Sequence, residues 1–183
     1  MLSKILDYFF DNNNNNNTNN KIIYDVDYVI RVGSAGALVK KIKVGSVFIV
    51  KDAFTKSIYP QELGVKSKTN IFKPSKKLFD LAVETAKKLK TPYNVGRVYS
   101  DECFYGRDSV KEKIKNSGGA EICEMESAGL FATADKLKKQ AATLLTCSDS
   151  LVTHETTTAK ERQTKFKDMV RIALETAVKL NKN

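Results

Sequence analysis

The sequence predicts a single α/β domain in which a mainly parallel β-sheet is covered by helices on both faces. Three observations support this fold class. The chain has 183 residues, a length typical of one domain. Short apolar segments alternate along it with longer amphipathic segments. Hydrophobic residues make up 42% of the chain, and no apolar run approaches the roughly 18 residues needed to cross a membrane. The first ten residues also lack the features of a signal peptide, so we expect a globular, cytoplasmic protein.

Residues 1–20 are predicted to form a disordered lead to the folded domain. Asparagine dominates positions 11–20, and such a segment cannot bury apolar surface. We therefore expect one folded domain at residues 21–183.

The individual elements are predicted from the spacing of apolar residues and from the residues that flank them. Alternating or continuous apolar residues predict strands, and helical spacing behind a capping residue such as Ser75, Asp108 or Thr158 predicts helices. In chain order, strands are expected at 28–32, 45–50, 93–100, 120–123 and 141–147, and helices at 76–90, 109–116, 126–138 and 159–180. Residues 51–73 show no regular pattern, so we expect a long loop there.

Charge, cysteine content and motifs argue against several classes of function. The net charge is +10, but only five of the 31 basic residues are arginines. Lysine lacks the planar guanidinium group that recognises bases by paired hydrogen bonds. Nucleic-acid binding is therefore not expected. The three cysteines show no CxxC spacing, so we expect reduced, mostly buried thiols. No Walker loop, GxGxxG motif or metal-ligand cluster is present in the sequence.

Two strand ends carry candidate binding residues, because ligands of parallel α/β sheets bind beyond the carboxyl ends of the strands. At the first end, Arg31 precedes a predicted Gly-Ser-Ala-Gly turn that contains Ser34. This pattern favours either a phosphate site or an ordinary strand-to-loop turn. Glu124 and Glu126 lie where a strand gives way to a helix. These carboxylates favour either hydrogen bonds to sugar hydroxyls or stabilisation of the helix N-terminus.

A third strand end carries a candidate general acid. Asp149 follows the strand predicted at 141–147. Arg162 lies one turn before Phe166 on the expected inner stripe of the last helix, which continues through Val170, Ala173, Ala177 and Leu180. This pattern favours either a structural ion pair or an acid whose proton is governed by the arginine. The single histidine, His154, lies in a loop, and the chain has no Gly-x-Ser-x-Gly elbow, so an incidental polar residue is expected there.

These segments, in this order and at this spacing, resemble those of the bacterial-type, hexameric purine nucleoside phosphorylases. They are RVGSAG at 31–36, EMESAG at 124–129, and SD at 148–149 followed by THE at 153–155 and ERQT at 161–164. The resemblance covers about residues 24–181. It implies a three-layer nucleoside-phosphorylase-like fold with a central mixed, mainly parallel sheet flanked by helices.

The resemblance also implies a reaction and a role for each matching residue. Inorganic phosphate attacks C1′ of a purine (deoxy)ribonucleoside and gives free base and (deoxy)ribose 1-phosphate, without a metal or an organic cofactor. The implied roles are phosphate binding by Arg31 and Ser34, ribose binding by Met125 and Glu126, base binding by Phe104, Ala35 and Gly36, and proton transfer to purine N7 by Asp149, assisted by Arg162. A homo-oligomer built from dimer units or as a hexamer is implied as well, with no nucleic-acid or membrane partner.

The chain departs from this family pattern at its N-terminus. The resemblance implies a longer N-terminal part with edge strands and a phosphate loop that carries its own arginine, whereas thirty residues precede Arg31 here. A sheet without its first strands is expected to expose an edge and to associate. Three functions stand open: a purine nucleoside phosphorylase, a uridine phosphorylase, and a truncated, non-catalytic homologue. Asp149 with Arg162 favours a purine, and no Gly-Gln-x-Arg segment follows Tyr105 to bind a pyrimidine.

Overall fold

The computed structural model describes residues 26–104 and 106–180, so the lead predicted at 1–20 and its boundary lie outside the described residues. The described part contains six strands and six helices. In chain order these are β1 (Tyr28–Ala37), β2 (Val47–Thr55), α1 (Tyr59–Glu62), β3 (Ile71–Phe72), α2 (Lys76–Lys88), β4 (Tyr93–Ser100), α3 (Val110–Asn116), β5 (Ile122–Glu124), α4 (Ser127–Lys136), β6 (Gln140–Ser150), α5 (Ala159–Lys165) and α6 (Lys167–Leu180).

The sheet is mixed, and its longest pairings are parallel. β1 runs parallel to β6, β2 to β4, and β4 to β5. Three shorter pairings are antiparallel, namely β1 with β5, β2 with β3, and β2 with β6. Because β6 pairs with both β1 and β2, the order β2-β4-β5-β1-β6 returns to β2 and closes. The predicted mixed, mainly parallel sheet is confirmed.

This closure limits the exposed edge that the sequence predicts. One edge of β2 is covered by β6 at 47–49 and by β3 at Ala53 and Phe54. On β1, the edge opposite β6 is covered by β5 only at Gly36 and Ala37. Among the described residues, the same edge of β1 at 28–35 therefore has no strand partner.

Helices pack on both sides of the sheet, as the sequence predicts. On one side, α2 and α6 bury Ala82, Ala86 and Ile172 in a shared cluster with residues of β2 and β6. On the other side, α4 buries Phe131 in a cluster that includes Phe48 of β2. The helix predicted at 76–90 is confirmed as α2, and its capping residue accepts a hydrogen bond at the first turn. The strand predicted at 93–100 is confirmed as β4.

The segment predicted as a Gly-Ser-Ala-Gly turn is extended. β1 continues through residues 33–36 to Ala37, because these residues pair with β6, with one bulge between Ala35 and Gly36. β6 in turn continues to Ser150, so Asp149 lies inside this strand and not beyond its end. The loop expected at 51–73 is also shorter, since β2 extends to Thr55 and both α1 and β3 follow it.

Two helix termini differ from the sequence prediction. The cap of α3 is Ser109 and not Asp108, because the Ser109 hydroxyl and the Glu112 carboxylate satisfy each other's backbone N–H groups in a capping box. The last predicted helix is divided at Phe166, where the backbone (φ −85°, ψ 26°) ends α5 before α6 begins. The break changes the buried face, so the inner residues of α6 are Met169, Ile172, Ala173 and Thr176, and the stripe expected through Val170 and Ala177 is wrong.

Candidate active site

A cavity of about 400 Å³ lies where β1, β5 and β6 meet. It brings together all the site residues that the sequence predicted except Arg162. These lining residues are Arg31, Ser34, Ala35, Gly36, Phe104, Met125, Glu126 and Asp149. Side chains from segments far apart in the sequence therefore share one space.

The antiparallel pairing of β1 with β5 explains how the acidic segment reaches Arg31. Cys123 of β5 lies opposite Gly36 of β1, and Ile122 lies opposite Ala37. The chain that follows β5 therefore runs back along β1, in the direction of Arg31. An entirely parallel sheet would have carried this segment away from that arginine.

The guanidinium of Arg31 lies between two carboxylates. Its Nη1 atom lies 3.3 Å from Oε2 of Glu124, and its Nη2 donates a hydrogen bond to Oε2 of Glu126. Nη1 is buried and makes no hydrogen bond within the described residues. The guanidinium thus keeps hydrogen-bonding capacity that its two acidic neighbours do not use.

Gly33 gives the Arg31 side chain room to extend along β1. A Cβ atom at Gly33 would lie 2.7 Å from Nη1 and 3.0 Å from the central carbon of the guanidinium. A larger residue would therefore force the guanidinium to shift from this position. The requirement for glycine here comes from this close approach, since the backbone is an ordinary strand.

The two carboxylates of the acidic pair have different surroundings. Glu124 is buried, and its carboxylate accepts hydrogen bonds from the backbone N–H groups of Glu126 and Ser127 at the start of α4, at 3.0–3.1 Å. It therefore stabilises the helix N-terminus. Glu126 is only partly buried, with 35% of its side chain exposed, and its carboxylate also accepts from the N–H of Met125 at 3.3 Å.

Asp149 is held in β6 beside the cavity by neighbours on two strands. Its Oδ1 atom accepts a hydrogen bond from the hydroxyl of Ser148 at 2.7 Å, and its backbone pairs with Gly36. A Cβ atom at Gly36 would lie 3.0 Å from Oδ2 and 2.6 Å from Leu151. Glycine at this position therefore preserves the space next to the carboxylate.

The cysteines near this carboxylate are uncharged thiols at neutral pH. Burial raises the pKa of Cys123 to about 11, and the negative charge of Asp149 adds to this effect. Burial likewise raises the pKa of Cys147 to about 11, again with a contribution from Asp149. All three cysteines are free thiols, but Cys103 is exposed, contrary to the expectation of mostly buried thiols for that residue.

Arg162 lies in a neighbouring cleft and not in the cavity. This cleft has a volume of about 630 Å³ and is lined by Ser34, Phe166 and Met169 among others. The side chain of Arg162 is exposed, and it forms no ion pair with Asp149 in this structure. The expected pairing is absent because the break at Phe166 leaves Arg162 on the short helix α5, away from a core-facing stripe. Ser34 lines both spaces, so the cleft and the cavity adjoin.

Several lining residues were missed by sequence reasoning. Asp101 and Lys113 line the cavity and form an ion pair of 2.7 Å, in which the lysine side chain is 12% exposed. Asp101 directly follows β4, so the strand-end argument used for the other sites would have found it. Lys113 lies on a short polar helix, and nothing in its local sequence distinguishes it from a solvated lysine. His154 is exposed and is not among the cavity-lining residues.

Metal and membrane features are absent from the described part of the chain. Within residues 26–104 and 106–180, no group of three or more His, Cys, Asp or Glu side chains could hold a metal ion. None of the helices described here is both long and apolar enough to span a membrane.

The fold is that of the nucleoside phosphorylases. A crystal structure of purine nucleoside phosphorylase from Toxoplasma gondii in complex with immucillin-H aligns with a TM-score of 0.74 at 19% identity, covering 85% of this chain and 64% of that one. The Plasmodium knowlesi homologue of the P. falciparum enzyme aligns with a TM-score of 0.71, also at 19% identity, covering 86% of this chain and 64% of that one. The family model described as the phosphorylase superfamily matches residues 15–182, and the chain belongs to that superfamily.

Similar sequences narrow the relationship within the superfamily. The DeoD-type purine nucleoside phosphorylase of Mycoplasma genitalium is 41% identical over 159 residues, which cover 86% of this chain and 66% of the relative. That of Bacillus subtilis is 40% identical over 153 residues, covering 82% of this chain and 64% of the relative. The chain thus spans about two thirds of the length of these relatives. The resemblance inferred from the motifs is confirmed.

Proposed function

We propose that this chain catalyses the phosphorolysis of purine ribonucleosides and deoxyribonucleosides to the free base and the pentose 1-phosphate. The observation that carries the proposal is the single cavity shared by Arg31, Ser34, Glu126 and Asp149, which come from three separate segments. The names of the similar relatives support a purine substrate over uridine.

Phosphate binding is assigned to Arg31 and Ser34. The guanidinium has an unused donor, and a charge-assisted contact to a dianion is among the strong hydrogen bonds in proteins. Ribose binding is assigned to Glu126 and Met125, since a partly exposed carboxylate beside the cavity can accept hydrogen bonds from vicinal hydroxyls. Base binding is assigned to Phe104, which is 71% exposed and lines the same space, and to Ala35 and Gly36.

The proposed reaction transfers the pentose from a purine nitrogen to a phosphate oxygen. A phosphate oxygen forms the new bond to C1′ while the bond from C1′ to N9 breaks, and the electron pair of that bond goes to the purine. Positive charge develops on the sugar and negative charge on the base. Phosphate held by Arg31 offsets the first charge, and a proton given by the Asp149 carboxyl to N7 neutralises the second.

Arg162 is proposed to assist Asp149 from the adjoining cleft. It lies on α5, which is separated from α6 by the break at Phe166. Since Ser34 lines both spaces, a rearrangement of α5 toward the cavity would bring the guanidinium to the acid. In this proposal Arg162 and Asp149 form an ion pair in the complex with substrate.

The remaining proposals concern partners and location. We assign inorganic phosphate as co-substrate with no further cofactor, and a cytoplasmic site of action. We also propose a homo-oligomer, which is supported by the edge of β1 at 28–35. This edge has no strand partner in the part of the chain that the structure describes, so it offers backbone groups to a second chain.

The proposed function is tested by incubating the purified chain with inosine, adenosine or uridine, with and without phosphate. We expect release of hypoxanthine and adenine only when phosphate is present, and little release of uracil. Faster cleavage of uridine would favour the pyrimidine enzyme. Absence of phosphate-dependent cleavage with all three nucleosides would overturn the proposal.

A further inference from the structure

Ser100 and Glu124 form a buried, hydrogen-bonded pair beside the cavity. The hydroxyl of Ser100 donates to Oε1 of Glu124 at 2.5 Å and accepts from the backbone N–H of Ala128 at 2.9 Å. Ser100 is 4% exposed and Glu124 is 7% exposed. A buried carboxylate destabilises the folded state unless its oxygens are fully hydrogen-bonded or ion-paired, so the partners of Glu124 indicate what this side chain does.

Besides Ser100, the partners of Glu124 fall into two groups. Backbone N–H groups of Glu126 and Ser127 satisfy it from the start of α4, and Nη1 of Arg31 faces it from β1 at 3.3 Å. One oxygen, Oε2, is shared by the N–H of Glu126 at 3.0 Å and by the arginine. A displacement of this carboxylate would therefore move both the guanidinium and the backbone that carries Glu126.

Ser100 fixes the carboxylate to the sheet. It is the last residue of β4, and its carbonyl oxygen accepts a hydrogen bond of 2.7 Å from the hydroxyl of Thr55 on β2. Its own hydroxyl then connects the strand to Glu124 and to the first turn of α4. The network consequently links β2, β4 and β5 to the start of α4 and to Arg31.

We propose that Ser100 and Glu124 are a positioning pair that sets Arg31 and Glu126 at the separation needed to bind phosphate and ribose together. The inference rests on the proposed function for the roles of Arg31 and Glu126. The pair acts through these two residues and not by contact with the substrate. Its loss should weaken both substrate subsites at once, which the loss of an ordinary helix cap would not do.

The test compares Ser100→Ala and Glu124→Gln with matched variants of another pair. Ser109 and Glu112 form the same kind of hydrogen-bonded pair at the exposed start of α3, so Ser109→Ala and Glu112→Gln report the loss of a helix cap alone. The measurements are KM for phosphate, KM for inosine, kcat, Tm, and phosphate affinity by calorimetry. Ser100→Ala removes only one hydroxyl, which keeps the test informative if Glu124→Gln does not fold.

We expect Ser100→Ala to raise both KM values by about threefold to tenfold and to weaken phosphate binding similarly, as for the loss of one hydrogen bond. Glu124→Gln should raise both KM values more than Ser100→Ala does. In a double variant with Arg31→Ala, Glu124→Gln should raise KM for phosphate by less than it does in the parent chain. The control variants should lower Tm with both KM values unchanged. If Ser100→Ala and Glu124→Gln behave like the controls, the positioning role is wrong.

Failure of the positioning pair can be told apart from failure of the proposed function. A parent chain that binds phosphate without turnover, and whose binding is weakened in the variants, would contradict the function and support the pair. A fully active parent with unchanged KM values in the variants would support the proposed function and contradict the positioning pair. A parent that neither binds phosphate nor cleaves nucleoside would overturn both.

Discussion

Nη2 of Arg31 donates a hydrogen bond to Oε2 of Glu126, so the group assigned to phosphate is bonded directly to the group assigned to ribose. In the proposed mechanism, phosphate that binds the unused donor of Arg31 shares the positive charge of the guanidinium with Glu126, which weakens the bond between the two side chains. The carboxylate then accepts hydrogen bonds from the ribose hydroxyls more readily. The two substrates should consequently bind with positive coupling.

The first prediction concerns this coupling. Saturating phosphate should tighten the binding of a non-hydrolysable purine nucleoside analogue by about fivefold or more, the range of typical coupling free energies. Glu126→Gln should weaken nucleoside binding and remove most of the coupling. Calorimetric titrations at several phosphate concentrations measure both effects, and an analogue affinity independent of phosphate in the parent would exclude the mechanism.

The second prediction concerns the cation. Arg31→Ala should raise KM for phosphate roughly 10- to 100-fold, because a charge-assisted hydrogen bond contributes about 1.5–3 kcal/mol. The same change leaves the buried carboxylate of Glu124 without its cation, so Tm should fall as well. Steady-state kinetics and thermal melts measure the two effects.

A second variant separates binding from stability. Gly33→Ala keeps the arginine but places a Cβ atom 2.7 Å from its Nη1, so the flexible guanidinium must shift. We expect a higher KM for phosphate with a small change in Tm. If both variants lower Tm while phosphate saturation is unchanged, Arg31 has a structural role only.

The third prediction is a loss of stability at alkaline pH. In the unfolded chain the thiol of Cys123 titrates near 9, whereas in the folded chain burial raises its pKa to about 11. The folded state therefore binds the proton more tightly, and its stabilising contribution is complete below pH 9 and lost as the pH rises toward 11. Cys123→Ala should flatten the dependence of Tm on pH in this window, whereas the exposed Cys103→Ala should not. Equal pH dependence in the parent and in Cys123→Ala would contradict this account.

The fourth prediction concerns association through β1. Val32 is 43% exposed on β1, whose outer edge at 28–35 has no strand partner among the described residues, so the chain should form oligomers in solution. A charge on this strand disfavours strand addition, and Val32→Lys should shift the population toward monomer. Ile58→Lys, at an exposed position preceding α1, is the control. Light scattering that shows a monomeric parent would refute the prediction.

The sequence was sufficient to find the elements with strong periodicity and the residues in compact motifs. The helix containing Leu78 and Ala82 was correct because its apolar residues recur every three to four positions behind a good cap. Arg31, Glu126 and Asp149 were selected as candidates because each occurs in a short segment with an unusual local composition. Their common position around one cavity agrees with the strand-end argument.

Features that depend on tertiary pairing were not predictable from local sequence. The extension of β1 through Gly33 and Gly36 depends on its hydrogen bonds to β6, which override the turn preference of glycine. The sequence around the helix break at Phe166 contains no proline or glycine that would indicate a break. Ser100 has no distinguishing neighbours in the chain, because its partners come from β2, β5 and α4.

The central claim is that Asp149 protonates a purine leaving group in this cavity. The most direct test measures phosphate-dependent release of hypoxanthine from inosine by the parent chain and by Asp149→Asn. An amide keeps the size of the side chain but has no acidic proton to give to N7. We expect kcat to fall by about 10²- to 10⁴-fold, the usual contribution of a general acid, with phosphate affinity by calorimetry changed little. Equal kcat values for the variant and the parent would contradict the account.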